Sequence, residues 1–129
     1  MQTLAPYMSY QARADQIKND LLEFLIQQKR AGKKVAAYGA AAKGNTLLNY
    51  CGIKPDLLSF VVDKSPHNQG KYLPGCHVPV VAEDRLRSDK PAYVIIFPWN
   101  IKAEIMEQLK YIRDWGGRFV IPIPHLEIL

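Results

Sequence analysis

At the start of the chain, apolar residues recur at the spacing of a helix. Tyr10, Ala14, Ile17, Leu21 and Phe24 step by four, three, four and three residues and line one face of a helix read over 9–31. Ser9 is its expected N-cap and Gly32 its expected stop. The pattern then changes: residues 33–38 hold the run Val35, Ala36, Ala37, as in a short strand covered on both faces. A small-residue turn over 39–43 leads into a short helix over 45–50 that ends at Gly52. Residues 57–62, LLSFVV, read as a second buried strand ending at Asp63, and 92–97 as a third, ahead of Pro98 and Trp99. Ile101, Ile105, Leu109 and Ile112 share one face of a helix from Asn100, its expected cap, to Trp115. Gly116 and Gly117 end that helix, and 118–121 form a last strand before a Pro-Ile-Pro tail. Between these elements, 64–79 shows no periodicity and carries prolines and glycines. It reads as a loop longer than ~12–15 residues, a length more often functional than idle.

Strands that alternate with helices imply right-handed crossovers, hence an α/β sandwich whose mostly parallel sheet has helices on both faces, preceded here by a long helix. Ligands of such sheets bind beyond the carboxyl ends of the strands. That rule singles out residues 38–45, 63–67 and 98–100, which should converge on one crevice. A length of 129 residues fits a single domain at ~150 residues per domain.

Composition narrows the class. An apolar share of 48% suits a packed globule. No apolar run approaches the ~20 residues needed to cross a bilayer, and MQTLAPYMSY lacks the basic start and apolar stretch of a signal peptide. The two cysteines, Cys51 and Cys76, are too few for a disulfide scaffold, so the expected compartment is the cytoplasm. The charge balance, 17 basic against 12 acidic residues, gives only +5. Its distribution says more. No acidic residue lies between Glu23 and Asp56, whereas Lys29, Arg30, Lys33, Lys34, Lys43 and Lys54 all do. A small anionic ligand or a solvated basic surface would each account for this. The dense basic stripe of a nucleic-acid binder is missing.

Three segments carry candidate chemistry, each beside a purely architectural alternative. In Tyr38-Gly39-Ala40-Ala41-Ala42-Lys43-Gly44-Asn45, the glycines permit close backbone approach, a helix start offers free N–H groups, and Lys43 adds a full charge, as a phosphate-binding turn requires. The spacing matches neither the dinucleotide fingerprint nor the P-loop, where Asn45 would be lysine. Tight helix-on-sheet packing is the other reading. Asp63, 24 residues beyond Gly39, stands near where an acidic residue grips a ribose hydroxyl in dinucleotide folds. Alternatively it caps the next turn, and Lys64 can pair with it or face a phosphate. Trp99 at a strand exit can stack on a nucleobase or fill the core. Asn100 is most simply a cap, and Glu104 lies one turn further on. Cys51, Cys76, His67, His77 and His125 show no metal-ligand spacing, so no metal is expected. His67 and His77 flank the long loop, as general bases or as exposed loop residues without a role.

Several of these segments together resemble the C-terminal domain of S-adenosylmethionine-dependent sugar C-methyltransferases. The carriers are the block from Tyr38 through Asn45 continued by Thr46-Leu47-Leu48-Asn49-Tyr50, then Val62-Asp63-Lys64-Ser65-Pro66 and Gly70-Lys71-Tyr72-Leu73-Pro74-Gly75. Pro98-Trp99-Asn100 with Glu104-Ile105 follows, and then Pro122-Ile123-Pro124. The resemblance implies a Rossmann-like fold and an enzyme that methylates a carbon of a nucleotide-linked keto-deoxysugar. In such enzymes a base removes a proton beside the ketone and the enolate attacks the methyl group of the cofactor. It further implies that Tyr38, Gly39, Ala40, Lys43, Gly44, Asn45, Asp63, Lys64, Trp99, Asn100 and Glu104 help hold the nucleotide-sugar. The family's cysteine-rich zinc segment and acidic, glycine-rich cofactor motif are both missing from this sequence. The expectation is therefore one domain of a longer enzyme, inactive alone, with S-adenosylmethionine and the catalytic base in an upstream methyltransferase domain. A stand-alone Rossmann-like module that binds a nucleotide or dinucleotide without chemistry is the rival reading.

Overall fold

A computed structural model describes residues 5–39, 48–63, 69–73, 75, 77–123 and 126–129, with side chains from residue 14 onward. The strands are β1 (Val35–Tyr38), β2 (Val61–Val62), β3 (Val80–Val81), β4 (Tyr93–Ile96), β5 (Arg118–Ile121) and β6 (Glu127–Ile128). They form one sheet in the order β3-β2-β1-β4-β5-β6. All pairings from β3 to β5 are parallel, and β6 returns antiparallel to β5. The helices are α1 (Ala5–Arg30), α2 (Asp84–Asp89) and α3 (Lys102–Gln108), with residues 48–51 also helical. From β1 the chain winds outward through β2 to β3, then returns to place β4 on the other side of β1. Such a reversal opens a crevice at the carboxyl ends of the two central strands. This is the expected Rossmann-like sandwich.

The central strand shows why three layers form. Its residues alternate between faces, and all four are buried. Val35 and Ala37 join Val61, Ile95 and Val120 on one face, where Leu21, Phe24 and Leu25 of α1 cover them. Ala36 and Tyr38 join Val94, Ile96 and Phe119 on the other, beneath Leu86 of α2, Ile105 of α3, Leu109 and Ile112. Burying each such aliphatic or aromatic side chain stabilises the fold by ~1.5–3 kcal/mol, so the two covers hold the layers together. Phe24 also meets Tyr93 edge-on at 5.0 Å, fixing α1 over β4.

Several boundaries differ from the sequence reading. Helix α1 runs through Ser9 to start at Ala5, so Ser9 is not its N-cap; Pro6 falls in the first turn, where its missing N–H costs nothing. Gly32 does stop it, with φ +74. Lys33 N–H donates to Gln28 O at 2.9 Å and Gly32 N–H to Lys29 O at 3.1 Å, a Schellman closure. The strand read over 57–62 narrows to β2 because Leu57 and Leu58 N–H both turn back to Lys54 O. The helix read over 100–115 is broken: a 3-10 turn at Trp99–Ile101, α3, then a second 3-10 turn at Lys110–Trp115. Asn100 lies inside the first turn, whose N-cap position is Pro98, so the expected cap is not formed. Strands β3 and β6 and helix α2 were not anticipated. The long loop over 64–79 also ends in more order than expected. Gly70 N–H donates to Val80 O, Val80 N–H to Lys71 O and Leu73 N–H to Val78 O, an antiparallel arm beside β3. Residues 45–47 of the short helix lie outside the described residues.

Beyond Tyr38 the backbone turns sharply at Gly39, with φ +94. A Cβ built there would lie 2.7 Å from Cδ of Pro98, the residue that ends the β4 segment. Only glycine permits this approach, and it lets the exits of β1 and β4 lie against each other. Gly39→Ala should therefore cost ~1–3 kcal/mol, read as a lower urea midpoint with an unchanged slope. An unchanged midpoint would show that Pro98 yields freely. Cys51, 3% exposed beneath α1, has its thiol pushed up to about 11 by burial, an effect Lys18 partly offsets. The reactive thiolate is scarce below that pH. In a Cys76→Ser background at pH 8, iodoacetamide should label the native protein ~100-fold more slowly than the urea-unfolded protein, with labelling rising toward pH 11. Equal rates would contradict this burial.

Candidate functional site

The carboxyl ends of β1, β2 and β4 gather much of what the sequence singled out. Gly39 N–H donates to Val62 O at 2.8 Å, Asp63 N–H donates to Val81 O at 3.1 Å, and Phe97 N–H donates to Tyr38 O at 3.2 Å. These ladder bonds carry the three strand exits side by side: Tyr38-Gly39, Asp63, and Pro98-Trp99. Tyr38 is buried and Asp63 half-buried, and the carbonyl of Asp63 accepts from Gln69 Nε2 at 2.8 Å. Trp99 is half-buried and packs on the α2/α3 side of the sheet, so core filling accounts for part of its surface. Asn100 and Glu104 are exposed just past the exit of β4. Ala40, Lys43, Gly44, Asn45 and Lys64, like His67, Cys76 and His125, lie outside the described residues.

The basic stretch divides in space. Lys29 and Arg30 close α1, and Lys33 and Lys34 lead into the amino end of β1. Lys29 Nζ donates to Asp56 O at 3.1 Å and stands 3.8 Å from its carboxylate. Lys54 Nζ donates to Gly75 O at 3.0 Å, and Lys33 lies 6.0 Å over the Tyr93 ring. Lys29, Arg30, Lys33 and Lys34 thus lie near the amino end of β1, opposite its carboxyl end, because α1 ends where β1 begins. Segments far apart in sequence also meet. A Cβ at Gly75 would collide with the Asn49 amide, so the Gly70–Gly75 arm packs on the helical residues 48–51.

A polar cluster that the sequence did not reveal sits at the same carboxyl edge. Glu83, just beyond β3, accepts from Gln108 Nε2 at 2.7 Å on one oxygen and from the Tyr111 hydroxyl at 3.1 Å on the other. Gln108 Nε2 also donates to the Tyr38 hydroxyl at 3.1 Å. Burial and the negative Glu83 carboxylate push the Tyr111 phenol well above its ordinary range, although Arg87, 4.0 Å over its ring, pulls the other way. Tyr111 is therefore a permanent donor at physiological pH. The partners are 25, 28 and 70 residues apart, so no local spacing signals them.

Among the described residues, no group of His, Cys, Asp and Glu could hold a metal ion, and no helix is long and apolar enough to cross a membrane. Cys51 is buried and His77 exposed. A family model of the C-methyltransferase C-terminal domain matches residues 1–124. C-methyltransferase NovU of Streptomyces niveus is 32% identical over 123 residues, which cover 95% of this chain and 29% of that protein. The chain thus spans under a third of the relative's length. It belongs to the C-methyltransferase C-terminal domain family.

Proposed function

We propose that this chain is the substrate-side domain of an S-adenosylmethionine-dependent C-methyltransferase acting on a nucleotide-linked keto-deoxysugar. In this reading the crevice at the carboxyl ends of β1, β2 and β4 holds the nucleotide-sugar. The observation that carries it is the junction of Gly39 and Pro98, 2.7 Å from a hypothetical Cβ, at the topological switch point of the sheet. Ligands of doubly wound sheets settle at that point. Family membership supports the methyl-transfer context.

The roles divide by chemistry. Lys43 and the N–H groups of Gly44 and Asn45 meet the diphosphate, the lysine as a point charge and the amides as directional donors. Tyr38, Gly39 and Ala40 line the start of that turn. Asp63 accepts a ribose hydroxyl with Lys64 beside it, Trp99 offers a flat surface to the base, and Asn100 and Glu104 complete the rim. The remainder of the polypeptide provides the methyltransferase domain and the base that removes the proton beside the ketone. S-adenosylmethionine, bound there, supplies the electrophilic methyl group. No acidic residue follows a Gly-x-Gly turn in this chain, which supports placing that cofactor elsewhere and regarding this domain alone as inactive.

Lys43→Ala in the full-length protein tests the reading. Loss of a hydrogen bond to a charged group is worth ~1.5–3 kcal/mol, so affinity for a nucleoside-diphosphate sugar should fall ~10- to 150-fold. Stability should shift by no more than ~0.5 kcal/mol. A lowered melting temperature with unchanged affinity would instead make the turn an architectural one.

A further inference from the structure

The arm beside β3 begins next to the exit of β2, and the function proposed above leaves it without a role. Gln69, the residue before the arm, is half-buried and donates from Nε2 to the carbonyl of Asp63 at 2.8 Å. A carbonyl only accepts, so the amide must present its nitrogen and the bond has one direction. The N–H of the same aspartate donates to Val81 O at 3.1 Å. Asp63 is thus held through both of its backbone groups. Each peptide unit is planar, so the two contacts fix the planes on either side of its Cα. Its φ and ψ follow, and with them the direction of the Cα–Cβ bond that carries the carboxylate.

The donor stands on a braced element. Gly70 N–H donates to Val80 O at 2.9 Å, so consecutive carbonyls of β3 hold the arm and Asp63 side by side. Further along, Leu73 is buried in the core on the α1 side, and its carbonyl accepts from His77 N–H at 2.9 Å. Lys54 Nζ donates to Gly75 O at 3.0 Å, and Gly75 abuts the Asn49 amide. With the arm fixed at these points, Gln69 imposes its geometry on Asp63 and does not merely follow it. Asp63 itself is half-buried at the carboxyl end of β2, one residue beyond the Val62 carbonyl that accepts from Gly39 N–H. We propose that Gln69 is a positioning residue that sets the Asp63 carboxylate to accept from a hydroxyl of the nucleotide-linked sugar. This rests on the reading of the crevice given above and adds to it a role for the arm.

A double-mutant cycle in the full-length protein tests the idea, with a nucleoside-diphosphate sugar titrated into each variant and melting temperatures recorded in parallel. Asp63→Ala removes the carboxylate and should weaken affinity ~10- to 150-fold, the span of one hydrogen bond to a charged group. Gln69→Met keeps the length of the side chain and removes its donor. It should weaken affinity ~2- to 12-fold, the span of a hydrogen bond between neutral groups, and by less than ~2-fold in the Asp63→Ala background. Its effect on melting temperature should be the same in both backgrounds. Gln69→Glu, of the same shape but without a donor at neutral pH, should bind no better than Gln69→Met. If Gln69→Met lowers affinity equally with and without the Asp63 carboxylate, the contact is only a brace for the loop and the proposal is overturned. Wild-type affinity in Gln69→Met, Gln69→Glu or Asp63→Ala overturns it too, while a loss in Lys43→Ala would leave the crevice reading intact. Absence of binding by wild type overturns both.

Discussion

Strand β1 is hydrogen-bonded along both edges and covered on both faces, and the other elements take their positions from it. It pairs with β2 through Ala37 and Tyr38 and with β4 from Val35 to Tyr38. No edge or face of it is left for solvent, so its side chains must be apolar or fully partnered. Ala36 and Ala37 keep the layers close, and the larger Tyr38 is accepted because Gln108 satisfies its hydroxyl. At the end of the strand the chain has to leave the plane of the sheet directly against Pro98. That single steric demand selects glycine at position 39, and the crevice is its consequence.

The two ends of the sheet have consequently become different surfaces. Around the amino end of β1, Lys29, Lys33 and Lys54 are engaged with Asp56, the Tyr93 ring and the Gly75 carbonyl, contacts that brace the layer containing α1. Exposed pairs of this kind contribute at most ~1 kcal/mol each. The carboxyl end instead carries half-buried polar groups with fixed donors and acceptors, from Asp63 to the Glu83 cluster. Directionality of that sort, more than net charge, distinguishes a surface that can recognise a ligand from one that is merely solvated.

How far the sequence could be read follows from the range of each signal. The stripe of Ile17, Leu21 and Phe24 and the run at Val35 to Ala37 persist over enough residues for their period to declare the element, and the layers follow. Strands β3 and β6 have two residues each, too short for any period, and exist because β2 and β5 offer them partners. Of the stripe Ile101, Ile105, Leu109 and Ile112, the last three mark a buried face while Ile101 is exposed, and a stripe reports which side is apolar and not whether the turns are α or 3-10. Gly39, Asp63 and Trp99 could be placed just past strand ends because strand exits can be located from pattern alone. Glu83, Gln108 and Tyr111 were not, since their contacts depend on tertiary proximity across three elements.

The central claim is that the carboxyl edge around Gly39 receives the nucleotide-sugar. Hydrogen–deuterium exchange on the full-length protein, with and without a saturating nucleoside-diphosphate sugar, reads that edge directly. The account predicts slowed exchange in peptides covering residues 38–47, 62–66 and 97–101, with the amino-end segment 29–34 unchanged. Protection confined to the rest of the polypeptide, with none in those three segments, would contradict it.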